Sequence, residues 1–416
     1  MIHGIMRIGL TATFCFAVTT GMGCSVADSP EGQVSLASTS NVYTSVAAGE
    51  FHTLALRSDG VIFAVGENSS GQLGNGTTTP TLAGPPTLVS GLAQVTALAA
   101  GCHHSMALTS NGQVWAWGDN SRGQLGTPTK LQIMKTPVQV SGLPAVKAIA
   151  AGCFHSLALD TAGGLWTWGS NSHGQLGTGT SSDSLTPVKL VGFQASAIDG
   201  GDDFSLALLP DGTVRAWGDN TKGQLATGST IPISSNFPVL TQLGGISSLA
   251  AGARHGLAVK ANGTVVAWGD NSLCALGIGT STPGFSAIPL VVNGVSLPGP
   301  AISAGRFFSV SASDDEFGPP NPGAYVYAWG NNVSGQLGDG TTTQRCQPTL
   351  GGRYPGFPDN GSVFIPRGHQ GPLSAGGSHT VAIDFNGKVV AWGRNNSGQL
   401  GTGSITDSVW ATQTLF

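Results

Sequence analysis

Short runs of alternating small and large apolar residues recur along most of the chain, and nowhere does an amphipathic period of 3.6 residues persist long enough for a helix. Val114-Trp115-Ala116-Trp117 is typical, with side-chain direction alternating along a strand so that both faces of a sheet are apolar. Within one unit the pattern predicts four strands: Val146 to Cys153, Ser156 to Asp160, Leu165 to Trp168 and Pro187 to Val191. Asp59-Gly60, Asn111-Gly112, Asp211-Gly212, Asn262-Gly263 and Asn386-Gly387 join the second strand to the third, supplying the positive φ of a tight hairpin.

The unit repeats. WGDNSRGQLG at Trp117 returns from Trp168, Trp217, Trp268, Trp329 and Trp392, and as VGENSSGQLG from Val65. The glycine after the Trp or Val stands at 66, 118, 169, 218, 269, 330 and 393, giving spacings of 52, 51, 49, 51, 61 and 63. A second phrase precedes each copy, AAGCFHSLAL at Ala150 being one example. Seven four-stranded units of about 51 residues without helical spacers predict an all-β, seven-bladed β-propeller. Val409 to Phe416 reads as one more outer strand, so ring closure through the chain termini is expected.

The paired phrases AGxxHSLAL and WGxNxxGQLG at this spacing resemble the regulator-of-chromosome-condensation repeat family, over nearly all of Val42 to Phe416. The resemblance implies the same propeller. In family members that inhibit β-lactamase or self-associate, the AGxxH loops are the contact surface. The family's namesake activity, guanine-nucleotide exchange on a small GTPase, is the alternative the resemblance carries. The plant photoreceptor of the family keeps its sensing tryptophans in the AGxxH loop, where this chain has none, so photoreception is set aside.

Composition adds the setting. Arg7 leads the apolar run Ile8 to Val18, which is too short to span a bilayer, and residues 1–27 read as an export signal followed by a linker at 28–41. Two processing sites compete: cleavage before Cys24, which would become a lipidated first residue, and cleavage after Ala27. The mature chain is then expected to be extracytoplasmic, secreted or lipid-anchored to a bacterial envelope, and monomeric. Only 9% of residues are charged and the net charge is −4, which leaves no source for phosphate neutralisation, so a nucleic-acid partner is not expected. Cys102, Cys153, Cys274 and Cys346 have no metal-site spacing. A partial Cys102–Cys153 disulfide is expected at most, because adjacent blades need not bring the Cα atoms within disulfide range.

The repeated residues read as structure: six tryptophans as core, the histidines at 52, 104, 155, 255 and 379 as half-buried hydrogen-bonding groups, and the seven asparagines as turn ligands. No catalytic motif, cofactor or metal site is expected. The positions that vary inside the constant frame are the candidates for binding a protein partner: Glu50, Phe51, His103, Phe154, Asp202, Asp203, Arg254, Arg306 and Phe307, all between AG and the histidine slot. Three insertions interrupt the spacing, at 280–300, 313–323 and 343–374, and the last contributes Arg353 and Tyr354 as further candidates, with Arg345, Phe357, Phe364 and Arg367 nearby. A scaffold or binding module is the leading reading, with inhibition of a secreted enzyme as another outlet for the same face.

Overall fold

The computed structural model describes residues 41–128, 132–296, 301–313, 323–353, 364–366 and 372–416. Asn41–Phe416 forms one compact unit. It consists of seven antiparallel sheets laid down in chain order, here blades 1 to 7, at 43–88, 95–139, 146–194, 197–240, 246–296, 301–366 and 373–413. No helix occurs among the described residues.

Each blade is a meander of four strands, the first lining a central channel and the fourth lying outermost. The predicted unit is observed as Val146–Ala151, His155–Asp160, Gly164–Gly169 and Ser184–Gln194. Pairing of the second and third strands sets His52 opposite Gly66, His104 opposite Gly118 and His155 opposite Gly169. The AGxxH turn and the start of the WGxNxxGQLG turn therefore share one end of every sheet, and the Asp-Gly and Asn-Gly hairpins occupy the other. Blade 6 departs from the four-stranded expectation: Phe364–Pro366, inside the third insertion, adds a fifth strand along Gly323–Tyr325.

There is no single core. Seven apolar clusters lie between successive blades, one per interface, because each sheet has two apolar faces and only neighbouring sheets to bury them against. All six repeat tryptophans are fully buried. Each donates its indole N–H to a main-chain carbonyl in the preceding blade's GQLG turn, as Trp117 does to Gln72 at 2.8 Å and Trp168 to Gln124 at 2.9 Å.

The ring closes where blades 7 and 1 meet, by packing and not by a strand exchanged between them. The C-terminal strand Ser408–Gln413 completes its own sheet on Val389–Gly393, as expected of an outer strand. Tyr43 and Val46 of blade 1 pack on Val381, Ile383 and Val389 of blade 7. The Tyr43 amide also donates to the Gly387 carbonyl at 2.8 Å.

Candidate functional site

The two residues between AG and the histidine slot surround the channel mouth, and the backbone of this ring is fixed before any side chain acts. The amides of Cys102, Cys153, Asp202, Ala253, Arg306 and Gly377 donate to carbonyls of Cys153, Gly201, Ala253, Gly305, Gly376 and Gly49 at 3.0–3.3 Å, each bond crossing to the next blade. The last of these joins blade 7 to blade 1. The glycine of the AG pair is required by this approach: a Cβ on Gly152 would stand 2.5 Å from the Gly201 carbonyl oxygen, and one on Gly49 2.6 Å from that of Gly101.

Behind the ring lies a second layer of bonds between blades. His52 Nε2 meets Ser105 Oγ at 2.9 Å, and that hydroxyl donates to the Gln72 carbonyl at 2.9 Å. His104 with Ser156, His155 with Ser205, His255 with Ser309 and His379 with Thr53 repeat the contact at 2.8–3.0 Å. The hydroxyl proton is committed to the carbonyl, so the hydroxyl accepts from the ring, and the imidazole proton sits on Nε2. The rings are fully buried rather than half-buried as expected, because each packs against the backbone of the AG glycine in space that a side chain there would fill. Burial pushes His52, His104 and His155 down to about 3, and His255 and His379 to about 4. Where Phe204 and Phe308 replace histidine, the facing residues of the next blade are Gly256 and Thr380. The asparagines fold the outer turns as anticipated: Asn171 Oδ1 accepts from the Leu176 amide at 2.9 Å while its Nδ2 donates to the Thr180 and Ser182 carbonyls.

On this frame the variable side chains divide into sectors. Phe51, His103 and Phe154, from blades 1 to 3, form a half-buried run of rings with centroids 6.4 and 6.3 Å apart. Arg394 of blade 7 stacks on Phe51 at 5.5 Å. The next loop round, in blade 4, carries Asp202 and Asp203. Arg306 reaches from blade 6 to Glu50, which is 16% exposed, and its other amino group lies 3.9 Å from Asp202, so one guanidinium faces carboxylates from two further blades. Burial raises the Asp202 carboxyl to about 6 despite Arg306, and raises Asp203 as well. Gln175 donates to Asp203 at 3.0 Å, and His173 Nδ1 lies 3.7 Å away. Arg254 is exposed. Phe307 is half-buried, its carbonyl accepting from the Asn331 amide.

Arg353 is held elsewhere, its amide on the Gly338 carbonyl and its carbonyl taking the Ala411 amide in the seam between blades 6 and 7. Arg345 pairs with Asp339 at 2.7 Å. Tyr354, Phe357, Arg367 and Cys24 lie outside the described residues. Sequence reasoning missed Arg394, His173 and Gln175, which come from the GQLG turns that share this face. It also missed Asp199, Ser303 and Ser374, which replace alanine on the channel-lining strands and accept the amides of Ala251, Ala375 and Ala48 in the next blade. A polar residue at a repeat position otherwise held by alanine was the available signal.

Both cysteine pairs are disulfides, so the first bond is formed where at most a partial one was expected, and Cys274 and Cys346, for which no pairing was derived, form a second. Cys102 and Cys153 have Cα atoms 4.5 Å apart, since the loops converge at the channel and the Cys102 amide bonds directly to Cys153. Cys274 and Cys346 are 4.7 Å apart. Cys274 occupies a turn position where other blades have a glycine packed on the next blade's outer strand, as Gly123 packs on Leu185 and Gly174 on Asn236. Glu50 lies with both sulfurs of the first pair within 4.8 Å, but sulfurs bonded to one another are not thiolate ligands.

A closed ring of seven blades, each presenting one AGxxH turn and one GQLG turn on a common face, defines a β-propeller with a single loop-built rim. Regulator of chromosome condensation (RCC1) repeats match at residues 59–108, 111–159, 162–208 and 211–259, and a second form of the repeat matches six segments between 43 and 399. The chain belongs to this repeat family. It is 30% identical to the ultraviolet-B receptor UVR8 of Arabidopsis thaliana over 373 residues, 87% of this chain and 79% of that protein. It is 32% identical over 357 residues to the probable E3 ubiquitin-protein ligase HERC6 of Homo sapiens, covering 84% of this chain and 28% of the relative. Among solved structures it resembles yeast RCC1 (Prp20) bound to Kap60, with a TM-score of 0.71 at 22% identity over 88% of this chain and 84% of that one. Human WBSCR16 gives 0.70 at 24% identity over 85% and 94%.

Proposed function

We propose that this chain is an exported, non-catalytic propeller that binds a protein partner on its AGxxH face. The reading is carried by the contrast between the loop frame, whose glycines, histidines and inter-blade bonds repeat, and the pairs held on that frame, which differ in every blade and combine aromatic, acidic and arginine side chains. These residue types dominate binding energy at protein interfaces, and a rigid ring presents them without an ordering cost. The solved relative in which yeast RCC1 is bound to Kap60 is a protein complex.

Export is supported by the Arg7-led apolar run and by two disulfides, which persist in oxidising compartments. Cell fractionation with N-terminal sequencing tests it. A mature chain starting at Cys24 or at Asp28 in the envelope or medium is the expected result, whereas an intact Met1 chain in the cytosol would favour nucleotide exchange instead. Binding is tested by comparing affinity capture from secreted and envelope proteins by the wild-type chain and by Phe51→Ala/Phe154→Ala. A protein retained equally by both would place the contact away from this face.

A further inference from the structure

The arc over blades 1 to 4 has a direction. Three half-buried rings, Phe51, His103 and Phe154, follow one another and end at Asp202 and Asp203, with the Cys153 amide bonded to Gly201 at the join. The two phenyl rings are apolar surface left half-open by the described residues, and the imidazole of His103 lies between them. The carboxylates beyond them are incompletely matched. Arg306 is committed to Glu50 and stays 3.9 Å from Asp202, beyond hydrogen-bonding distance. Arg254 makes no contact within ion-pair distance among the described residues and acts on Asp202 and Asp203 only through its field. Asp202 is therefore a carboxylate withdrawn from water, 24% exposed at its side chain, and short of a donor. A carboxylate in that state gains more from an incoming cation than one already paired or fully hydrated.

Resting on the protein-binding reading above, we propose that the partner engages this arc with one protruding segment that lays a bulky apolar side chain across Phe51, His103 and Phe154 and sets a lysine or arginine against Asp202. The rings supply the apolar contact. Asp202 selects the cation, and its position at the end of the ring series fixes the order of the two features along the segment. A partner offering an acidic side chain would meet Asp202, Asp203 and Glu50 together and is disfavoured.

The test uses a displayed library of random disulfide-cyclised heptapeptides panned against the isolated chain, with binders measured on wild type, Phe154→Ala, Asp202→Asn and Asp202→Lys. The expected consensus pairs a bulky apolar residue with lysine or arginine. Binding should fall on the order of tenfold or more with Asp202→Asn, weaken with added salt, and be replaced by acidic peptides on Asp202→Lys. Binders that lose affinity with Phe154→Ala but carry no basic residue and ignore Asp202→Asn would overturn this proposal and leave the docking face standing. Binders indifferent to all three substitutions would overturn the docking face itself. Near-ultraviolet circular dichroism of each variant, unchanged from wild type, confirms that the ring is intact in every arm.

Discussion

His52 of blade 1 and Ser105 of blade 2 meet at 2.9 Å, and through them the AGxxH turn of one blade is tied to the GQLG turn whose Gln72 carbonyl also receives the Trp117 indole. One carbonyl thus accepts two bonds from the next blade, and the ring that orients the donor hydroxyl belongs to the same blade as the carbonyl. Blade 1 therefore grips blade 2 from both sides of the interface. The same arrangement recurs wherever His and Ser or Thr face one another, which is why a residue type that titrates near neutrality is used here as a neutral donor.

Acid should loosen this grip. Each buried histidine has a folded-state pKa near 3 or 4, below the ordinary 6.5, so between those values the unfolded chain binds more protons and stability rises with pH. The contribution is complete above 6.5 and is lost on acidification, by up to about 1.4 kcal/mol per pH unit for each group. Asp199 and Asp202 oppose this, because burial raises them from 3.8 to about 6 and the folded chain takes up their protons first. Burial raises Asp203 as well, and five histidines against three aspartates leave a falling melting temperature between pH 6.5 and 4. His104→Phe, which copies the pairing of Phe308 with Thr380, should flatten the slope; a melting temperature constant over this range in wild type would contradict the assignment.

Gly152→Ala should destabilise by about 1–3 kcal/mol, since the new methyl meets the Gly201 carbonyl oxygen and the His155 ring, and neither the backbone nor a hydrogen-bonded ring can move aside freely. Gly142→Ala serves as the comparison, because a Cβ there meets nothing within 4 Å although its φ of +81° carries its own strain. Denaturant unfolding of the two variants separates steric conflict at the channel from backbone strain alone. Equal losses would remove the close-approach argument.

Peptide mapping without reductant should recover Cys102 linked to Cys153 and Cys274 linked to Cys346. Each bond joins neighbouring blades, so reduction should lower the melting temperature without changing the fold. Four free thiols in chain isolated from its native compartment would contradict both the pairing and the proposed export.

The repeat made the blade count, strand order and loop face legible, because a residue needed once per blade announces itself seven times. What stayed hidden were relations between different repeat positions. Cys274 and Cys346 are 72 residues apart and occupy unlike slots, so only the packing of a turn on the next blade's outer strand brings them together. Arg306 crossing to Glu50 and Asp202 was equally invisible, since the repeat places each of these residues on the rim but says nothing of how far a side chain reaches over the channel. Nor could the insertion be read for its backbone: Arg353 was singled out for its side chain, whereas its main chain bridges two blades.

The seam between blades 7 and 1 gives the last prediction, because blade 1 alone has Val65 where the other six have tryptophan. At five of the other six interfaces the last glycine of the GQLG turn packs on the next blade's indole, as Gly74 does on Trp117 and Gly338 on Trp392, and in blade 4 the position is Ala226. At Gly401 the neighbours are instead Val65 and the ring of Phe416, 3.2–3.4 Å from a Cβ placed there. Phe416 also meets Tyr43 edge-on at 5.9 Å, so the final residue of the chain fills the space that the missing tryptophan leaves. Phe416→Ala should then cost about 1–3 kcal/mol. Deleting Val409 to Phe416 removes in addition the outer strand of blade 7 and buried Ala411, and should cost most of the ~5–15 kcal/mol that holds a typical domain folded. Thermal unfolding with size-exclusion chromatography measures both. Val65→Trp introduced into Phe416→Ala should recover part of the loss, and a double variant no more stable than the single one would show that Phe416 does not stand in for the indole.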